Sequence, residues 1–176
     1  MKEKLSVMTV CVLGIAIGLM SFRPTIAHAV AEPQEGAWTY GASTGFLGNT
    51  PSQTAWAFNA HADRFFSRVF SVGPLAQVAL TGPLSQIGLS AQARYWLELP
   101  NNTRTRIVFQ AGFGFIHTDR LNSDNSWLLP IGIGVDHLVS RKVALTADFL
   151  INFTDIDPGN GRDRNVMPGF TVGVRF

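Results

Sequence analysis

Val166-Met167-Pro168-Gly169-Phe170-Thr171-Val172-Gly173-Val174-Arg175-Phe176 sets Phe170, Val172, Val174 and Phe176 on every second position, with Gly169, Thr171, Gly173 and Arg175 between them. A strand sends alternate side chains to opposite faces. One face of this stretch is therefore wholly apolar and the other is small, polar or charged. A soluble sheet would turn the apolar face inward. A membrane β-barrel turns it outward to lipid and keeps the polar face in the lumen. The rest of the chain discriminates between the two.

The composition is 46% hydrophobic and only 15% charged, with 17 glycines and 13 phenylalanines. No run after residue 20 reaches the roughly 20 apolar residues that a membrane helix needs. The one long apolar run is at the start, where Lys2 and Lys4 precede 5–20, followed by Pro24 and Ala27-His28-Ala29. A basic head, an apolar middle and a small-residue site describe a secretory leader, so we expect cleavage after Ala29, with Ala31 as a second site. That divides the chain into a leader (1–29), a short periplasmic lead (30–35) and one domain (36–176). The leader holds three of the 14 Lys and Arg and one of the 12 Asp and Glu, which leaves 11 of each in the remainder. A near-neutral mature chain gives no reason to expect a nucleic-acid partner. The single cysteine, Cys11, falls in the leader, so neither a disulfide nor thiol chemistry is expected.

From Gly36 onward the chain is a succession of alternating segments separated by turn residues, a pattern of sandwiches and barrels. Eight can be counted: 36–46, 54–63, 69–80, 87–99, 106–118, 127–139, 143–154 and 166–176. Trp56, Phe58, Ala60 and Ala62 alternate with Ala57, Asn59, His61 and Asp63. Leu89, Ala91, Ala93, Tyr95 and Leu97 alternate with Ser90, Gln92, Arg94, Trp96 and Glu98. Ile107, Phe109, Ala111, Phe113 and Phe115 oppose Gln110, Gly112 and Gly114. Each segment is close to the roughly 9–11 residues of a tilted membrane-crossing strand. Pro74, Pro130 and Pro168 fall within segments, and a closed barrel has no free edge for them. Pro74 is nearest a strand middle, so a bulge or local irregularity is expected there.

With the apolar faces inward, the outer surface would be largely glycine with a handful of charges. With the apolar faces outward, glycine and serine make room inside a narrow cylinder for long polar partners. The expected lumenal network is His61, Asp63, Gln92, Arg94, Glu98, Gln110, Asp136, Asp148 and Arg175, with Gln77 beside it. Trp38, Tyr40, Trp56, Tyr95, Trp127 and Phe176 lie near strand ends, where aromatic girdles meet headgroups. The links after the first, third, fifth and seventh segments (47–53, 81–86, 119–126, 155–165) are longer than the others. Arg64, Arg68, Arg104, Arg106, Arg141 and Lys142 flank the short links, and Asp119, Asp124, Asp155, Asp157 and Asp163 flank the long ones. Short turns face the periplasm in such barrels, which would put both chain ends there.

These features together resemble the small eight-stranded outer membrane β-barrel family, whose familiar member is the OmpA-type membrane domain. The resemblance spans 36–176 and rests on the leader, the strand count and the terminal G-F-T-V-G-V-R-F; Phe70-Ser71-Val72-Gly73-Pro74-Leu75 is also similar to the third strand of porin-like barrels. It implies an all-β, antiparallel, up-and-down transmembrane barrel in the outer membrane of a Gram-negative-type bacterium. It further implies that Phe170, Val172, Val174 and Phe176 form an insertion signal read by the barrel-assembly machinery. Outer membrane lipid and lipopolysaccharide would be its surroundings, as a monomer. Function is not implied, because folds of this kind host unrelated activities.

Candidate chemistry is sparse. The lumenal charges would line a narrow pore or, paired, plug the barrel; buried charges need partners, and eight strands favour the plug. His61 with Asp63 and Ser71 or Ser90 has the residue types of a hydrolase site but no demonstrated nucleophile–base geometry. His117 should face outward near one rim. In the lipid A deacylases among small barrels a histidine is followed two positions later by serine; here that position is Asp119, so the motif is broken. His137 is read as an interfacial residue at the other rim. Asp155, Asp157, Gly159, Gly161 and Asp163 have the composition of a Ca²⁺ loop but lack the closing glutamate and flanking helices. No cofactor or metal is expected. The reading is a non-enzymatic structural or surface-interaction protein with a polar-filled lumen; the alternatives are a narrow channel for small solutes and a lipid-modifying enzyme.

Overall fold

The computed structural model describes residues 34–50, 53–81, 84–100, 102–119, 124–156 and 164–176. The leader, and Asp157 to Asp163 of the acidic loop, lie outside the described residues. Eight strands follow one another: β1 (Trp38–Thr50), β2 (Gln53–Ser67), β3 (Phe70–Thr81), β4 (Leu84–Leu99), β5 (Asn102–Asp119), β6 (Asp124–Leu138), β7 (Ala144–Ile156) and β8 (Arg164–Arg175). Each pairs antiparallel with the next, and β8 returns to β1 to close the barrel. The closing ladder runs from Gly41↔Arg175 to Leu47↔Gly169. Tyr40 and Phe176 extend it by donating backbone N–H groups to each other's carbonyls at 2.7 and 2.8 Å. Closure leaves no unpaired edge, the condition for a sheet to exist in hydrocarbon.

The barrel is inside out by the standards of a soluble protein. Phe115, Leu89, Phe113, Leu145 and Val172 stand exposed on the outer surface, Phe115 at 71%. Thr39, Asp63, Ser71, Asp136 and Arg175 are fully enclosed. In water this arrangement would hydrate the apolar face; in lipid that face meets hydrocarbon, and the polar groups stay enclosed in the lumen. The girdle residues Trp38, Tyr40, Trp56, Tyr95, Trp127 and Phe176 are all exposed. Phe46 and Trp56, paired in register across β1 and β2, meet edge to face at 4.6 Å.

Three expectations are corrected. The strands are longer than a bilayer crossing requires, from 12 residues in β3 to 18 in β5. Pairing continues past the segment ends read from the sequence, because an antiparallel ladder holds wherever both strands stay extended, so the links shrink. Only 51–52, 82–83, 120–123 and 157–163 separate strands at one end, against 68–69, 100–101 and 139–143 at the other. The expected contrast between long and short links is therefore reduced to the single link 157–163. Residues 47–50, read as loop, continue β1 past a register shift between Leu47 and Thr50. Asn49 and Gln53 take the left-handed φ values of 54° and 83° that this tight corner demands; asparagine tolerates that region better than most residues.

At Pro74 the expected irregularity takes the form of an interrupted ladder, not a bulge. The β2–β3 ladder stops at His61↔Leu75 and resumes at Arg64↔Val72 in the same register, so two pairs are missing but nothing bulges. On its other side Pro74 pairs normally with Ala91. Pro130 and Pro168 follow suit: each keeps its β7 partner, Asn152 or Ile151, while the ladder on the opposite side has a gap or has ended. A residue in an antiparallel strand directs its N–H and C=O toward one neighbour only, so proline costs pairing on one side. The register shift between β2 and β3 lies instead at Phe65/Ser67, next to the turn.

Candidate functional site in the barrel lumen

The turn end of the barrel carries Gly36, Phe176 and the three short turns, and the loop end is opposite. The lumen between them is layered. Nearest the turn end, Phe65, Trp96 and Val108 form a small apolar cluster, with the Phe65 and Trp96 rings 5.3 Å apart. Trp96 Nε1 donates to Ser71 Oγ at 3.0 Å, which satisfies the one polar atom of a buried indole.

Beside this cluster lies an ionic belt. Arg175 Nε and Nη2 donate to Asp136 Oδ2 and Oδ1, each at 2.9 Å, a two-armed pair in which both partners are enclosed. The Arg175 guanidinium also lies 4.8 Å over the Trp96 ring. Arg94 Nη1 donates to Asp63 Oδ2 at 2.9 Å, and His61 Nε2 is 3.5 Å from the same oxygen. The Gln92 amide, with its oxygen turned to Arg94, accepts from Nε and Nη2 at 3.2 Å. Charge-assisted, two-armed bonds of this kind are the strongest that side chains make. Two polar side chains lie over glycines on the neighbouring strand. The His61 ring covers Gly41, and the Asp148 carboxylate covers Gly134; a Cβ at either glycine would collide with its partner. Both are register pairs, so Gly41 and Gly134 are the floor beneath these two side chains.

Toward the loop end the lumen changes character. Leu47, Ala55, Ala57, Ala79, Ile116, Leu128, Ile156 and Met167 form an apolar cluster inside the barrel. The filling is thus mixed: an apolar cluster lies beside the polar residues, which remain the more numerous among the buried side chains. The cluster residues sit on the polar face by parity, as isolated aliphatics among polar neighbours. Once the cylinder is closed they need only each other. Asn59, Gln77, Asn152 and Thr171 line a void of about 20 Å³ between cluster and belt, room for one water molecule.

Of the remaining lumenal residues, Gln110 is buried and its side chain makes no hydrogen bond among the described residues. Glu98 stands at the turn-end mouth with its side chain 48% exposed, outside the belt. It accepts from Arg106 Nε at 3.3 Å and Nη2 at 3.1 Å. Arg106, grouped by sequence with the turn charges, is buried on the lumenal face. Its parity with Val108 and Gln110 was the signal that would have placed it there.

The candidate hydrolase residues are not assembled. Ser71 is bonded to Trp96, and no hydrogen bond joins His61 to Ser71 or Ser90 among the described residues. His117 faces outward and bonds Asn125 at 2.8 Å, while His137 bonds Thr105 at 2.9 Å on the outer face near the turn end. No group of three His, Cys, Asp or Glu side chains among the described residues is placed to hold a metal ion.

No family model matches the chain, and no curated protein does. Solved structures do. The N-terminal β-barrel domain of Pseudomonas aeruginosa OprF superposes with a TM-score of 0.58 at 12% identity, over 81% of this chain and 98% of that one. Neisserial surface protein A gives 0.55 at 16%, over 78% and 94%. Ail, the attachment invasion locus protein of Yersinia pestis, gives 0.52 at 14%, over 81% and 100%. At these identities the likeness is one of fold: an eight-stranded barrel of the outer membrane type.

Proposed function

We propose that this chain, whose fold is that of the small outer membrane β-barrels, resides in the outer membrane of a Gram-negative-type bacterium. It would be exported by the leader at 1–29 and act without catalysis, as a structural element or through surface contacts, with a lumen closed to solutes. The observation that carries the closed lumen is the enclosed Arg175–Asp136 pair, which ties β8 to β6 inside the barrel against the Trp96 ring. The apolar cluster around Leu128 and Met167 seals the other half.

The turn end, with both chain ends and the basic residues, would face the periplasm, and the loop end would meet lipopolysaccharide and outside partners. Phe170, Val172, Val174 and Phe176 all point outward on the closing strand, where the assembly machinery would read them before the barrel shuts. A monomer suffices, since closure leaves no edge to share.

The test is single-channel recording in a planar bilayer, with a heat-modifiable gel shift to verify folding. A folded, inserted and silent barrel is expected. Discrete openings would overturn the closed-lumen reading in favour of a narrow channel. A lipid A mass spectrum altered by deleting the protein would instead make it an enzyme.

A further inference from the structure

At the turn end the barrel opens into a recess of about 530 Å³ whose walls include Arg68, Arg104, Arg106 and Arg141. They arrive from separate elements: Arg68 from the β2–β3 turn, Arg104 and Arg106 from the start of β5, and Arg141 from the β6–β7 turn. A single carboxylate, Glu98, shares the lining, so four cations face one anion.

That carboxylate is already engaged by Arg106. Arg68, Arg104 and Arg141 are exposed and form no ion pair among the described residues. Arg106 is buried to 4% exposure, and its Nη1 is enclosed without a hydrogen-bond partner. An arginine cannot shed its proton to relieve such a position, and a buried donor left unmade is costly. Gathering like charges also works against the fold. Both costs fall when an anion enters.

We propose that this recess binds a phosphoryl anion, with Arg106 as its buried anchor and Arg104, Arg68 and Arg141 closing around it. Planar, forked guanidinium groups match phosphate oxygens two at a time. Three cations in excess suit a phosphate better than a single carboxylate. The volume leaves space for an organic portion, and Leu138 and Val139 on the wall offer it an apolar flank. The source is either the headgroup of an anionic phospholipid in the adjoining leaflet or a soluble phosphate ester. The chemistry is shared, and the inference does not depend on which side of the membrane the turn end faces.

The experiment uses the full mature chain. In one arm, the protein is reconstituted in phosphatidylcholine nanodiscs doped with phosphatidylglycerol, and retained lipid is counted by native mass spectrometry. In the other, it sits in phosphatidylcholine alone and is titrated with glycerol phosphate and inorganic phosphate, read by ³¹P line broadening. The Arg104→Ala/Arg141→Ala variant removes two exposed groups, and the gel shift checks its folding; Arg141→Ala alone replaces it if the double variant misfolds. Saturable phosphatidylglycerol retention, weakened roughly tenfold or more in the variant as expected for lost bonds to a charged group, supports the site with lipid as ligand. Soluble phosphate binding with the same loss supports it with a soluble ester. No binding in either arm, or binding that the variant leaves unchanged, overturns it.

Discussion

Arg175, the penultimate residue, grips Asp136 through two bonds of 2.9 Å, although β7 separates their strands and 39 residues separate them in sequence. The pair bridges β6 and β8 over the lumenal side of β7, so it both fills the interior and ties two strands that are not neighbours. Arg175→Ala leaves Asp136 enclosed without a partner, and breaking a buried pair costs about 3–5 kcal/mol. We expect urea unfolding in vesicles to register that loss while the bilayer stays silent. Replacing both partners, as Arg175→Met with Asp136→Leu, should recover most of the stability. An Arg175→Ala barrel as stable as the parent, or one that conducts, would sink the plug reading.

Leu128 is fully enclosed in the loop-end cluster with Met167 and Ile156. Leu128→Ala should cost about 2–5 kcal/mol through lost burial and the cavity left behind. It should not open a channel, because the ionic belt remains intact. Unfolding and conductance measured on the same preparation check both halves of this expectation.

Ile133 stands on the outer face, in register with Phe109 and Phe149. If that face meets hydrocarbon, Ile133→Arg costs about 2–4 kcal/mol at mid-bilayer depth. On a surface facing water the same change would be nearly neutral. Equilibrium unfolding in vesicles distinguishes them, and an unchanged midpoint would rule against a lipid-facing surface at this position.

Gly41 is the floor beneath the His61 ring. Gly41→Ala should destabilise by about 1–3 kcal/mol through overpacking. His61→Ala removes the obstruction, so the double variant should lose less than the two single losses combined. Additive losses in that cycle would mean that the contact does not govern the glycine.

Phe176 closes the barrel through its backbone bonds to Tyr40, which alanine can also make. If its ring serves as part of an assembly signal, Phe176→Ala should lower the assembled fraction in cells but fold normally into pure lipid. Equal losses in both settings would make the ring a stability element instead of a signal.

The sequence alone determined the strand count, the antiparallel order and the face on which each side chain lies. These follow from a period of two, a local property of extended backbone: once Phe170, Val172 and Val174 point outward, Thr171 and Arg175 must point inward. His61, Asp63, Arg94, Asp136 and Asp148 were legible as lumenal for the same reason. Tertiary structure alone decided which of them meet. Asp136 finds Arg175 rather than Arg94 because the stagger of a closed barrel sets the height of each residue, and no local pattern encodes that height. The aliphatics of the loop-end cluster were hidden likewise, since Leu47, Leu128 and Met167 come from different strands and form a core only after closure. The strand ends were set by pairing that continues past the alternating pattern, as at Thr50↔Gln53. The arginine recess arose from turns far apart in sequence that the fold gathers around one mouth.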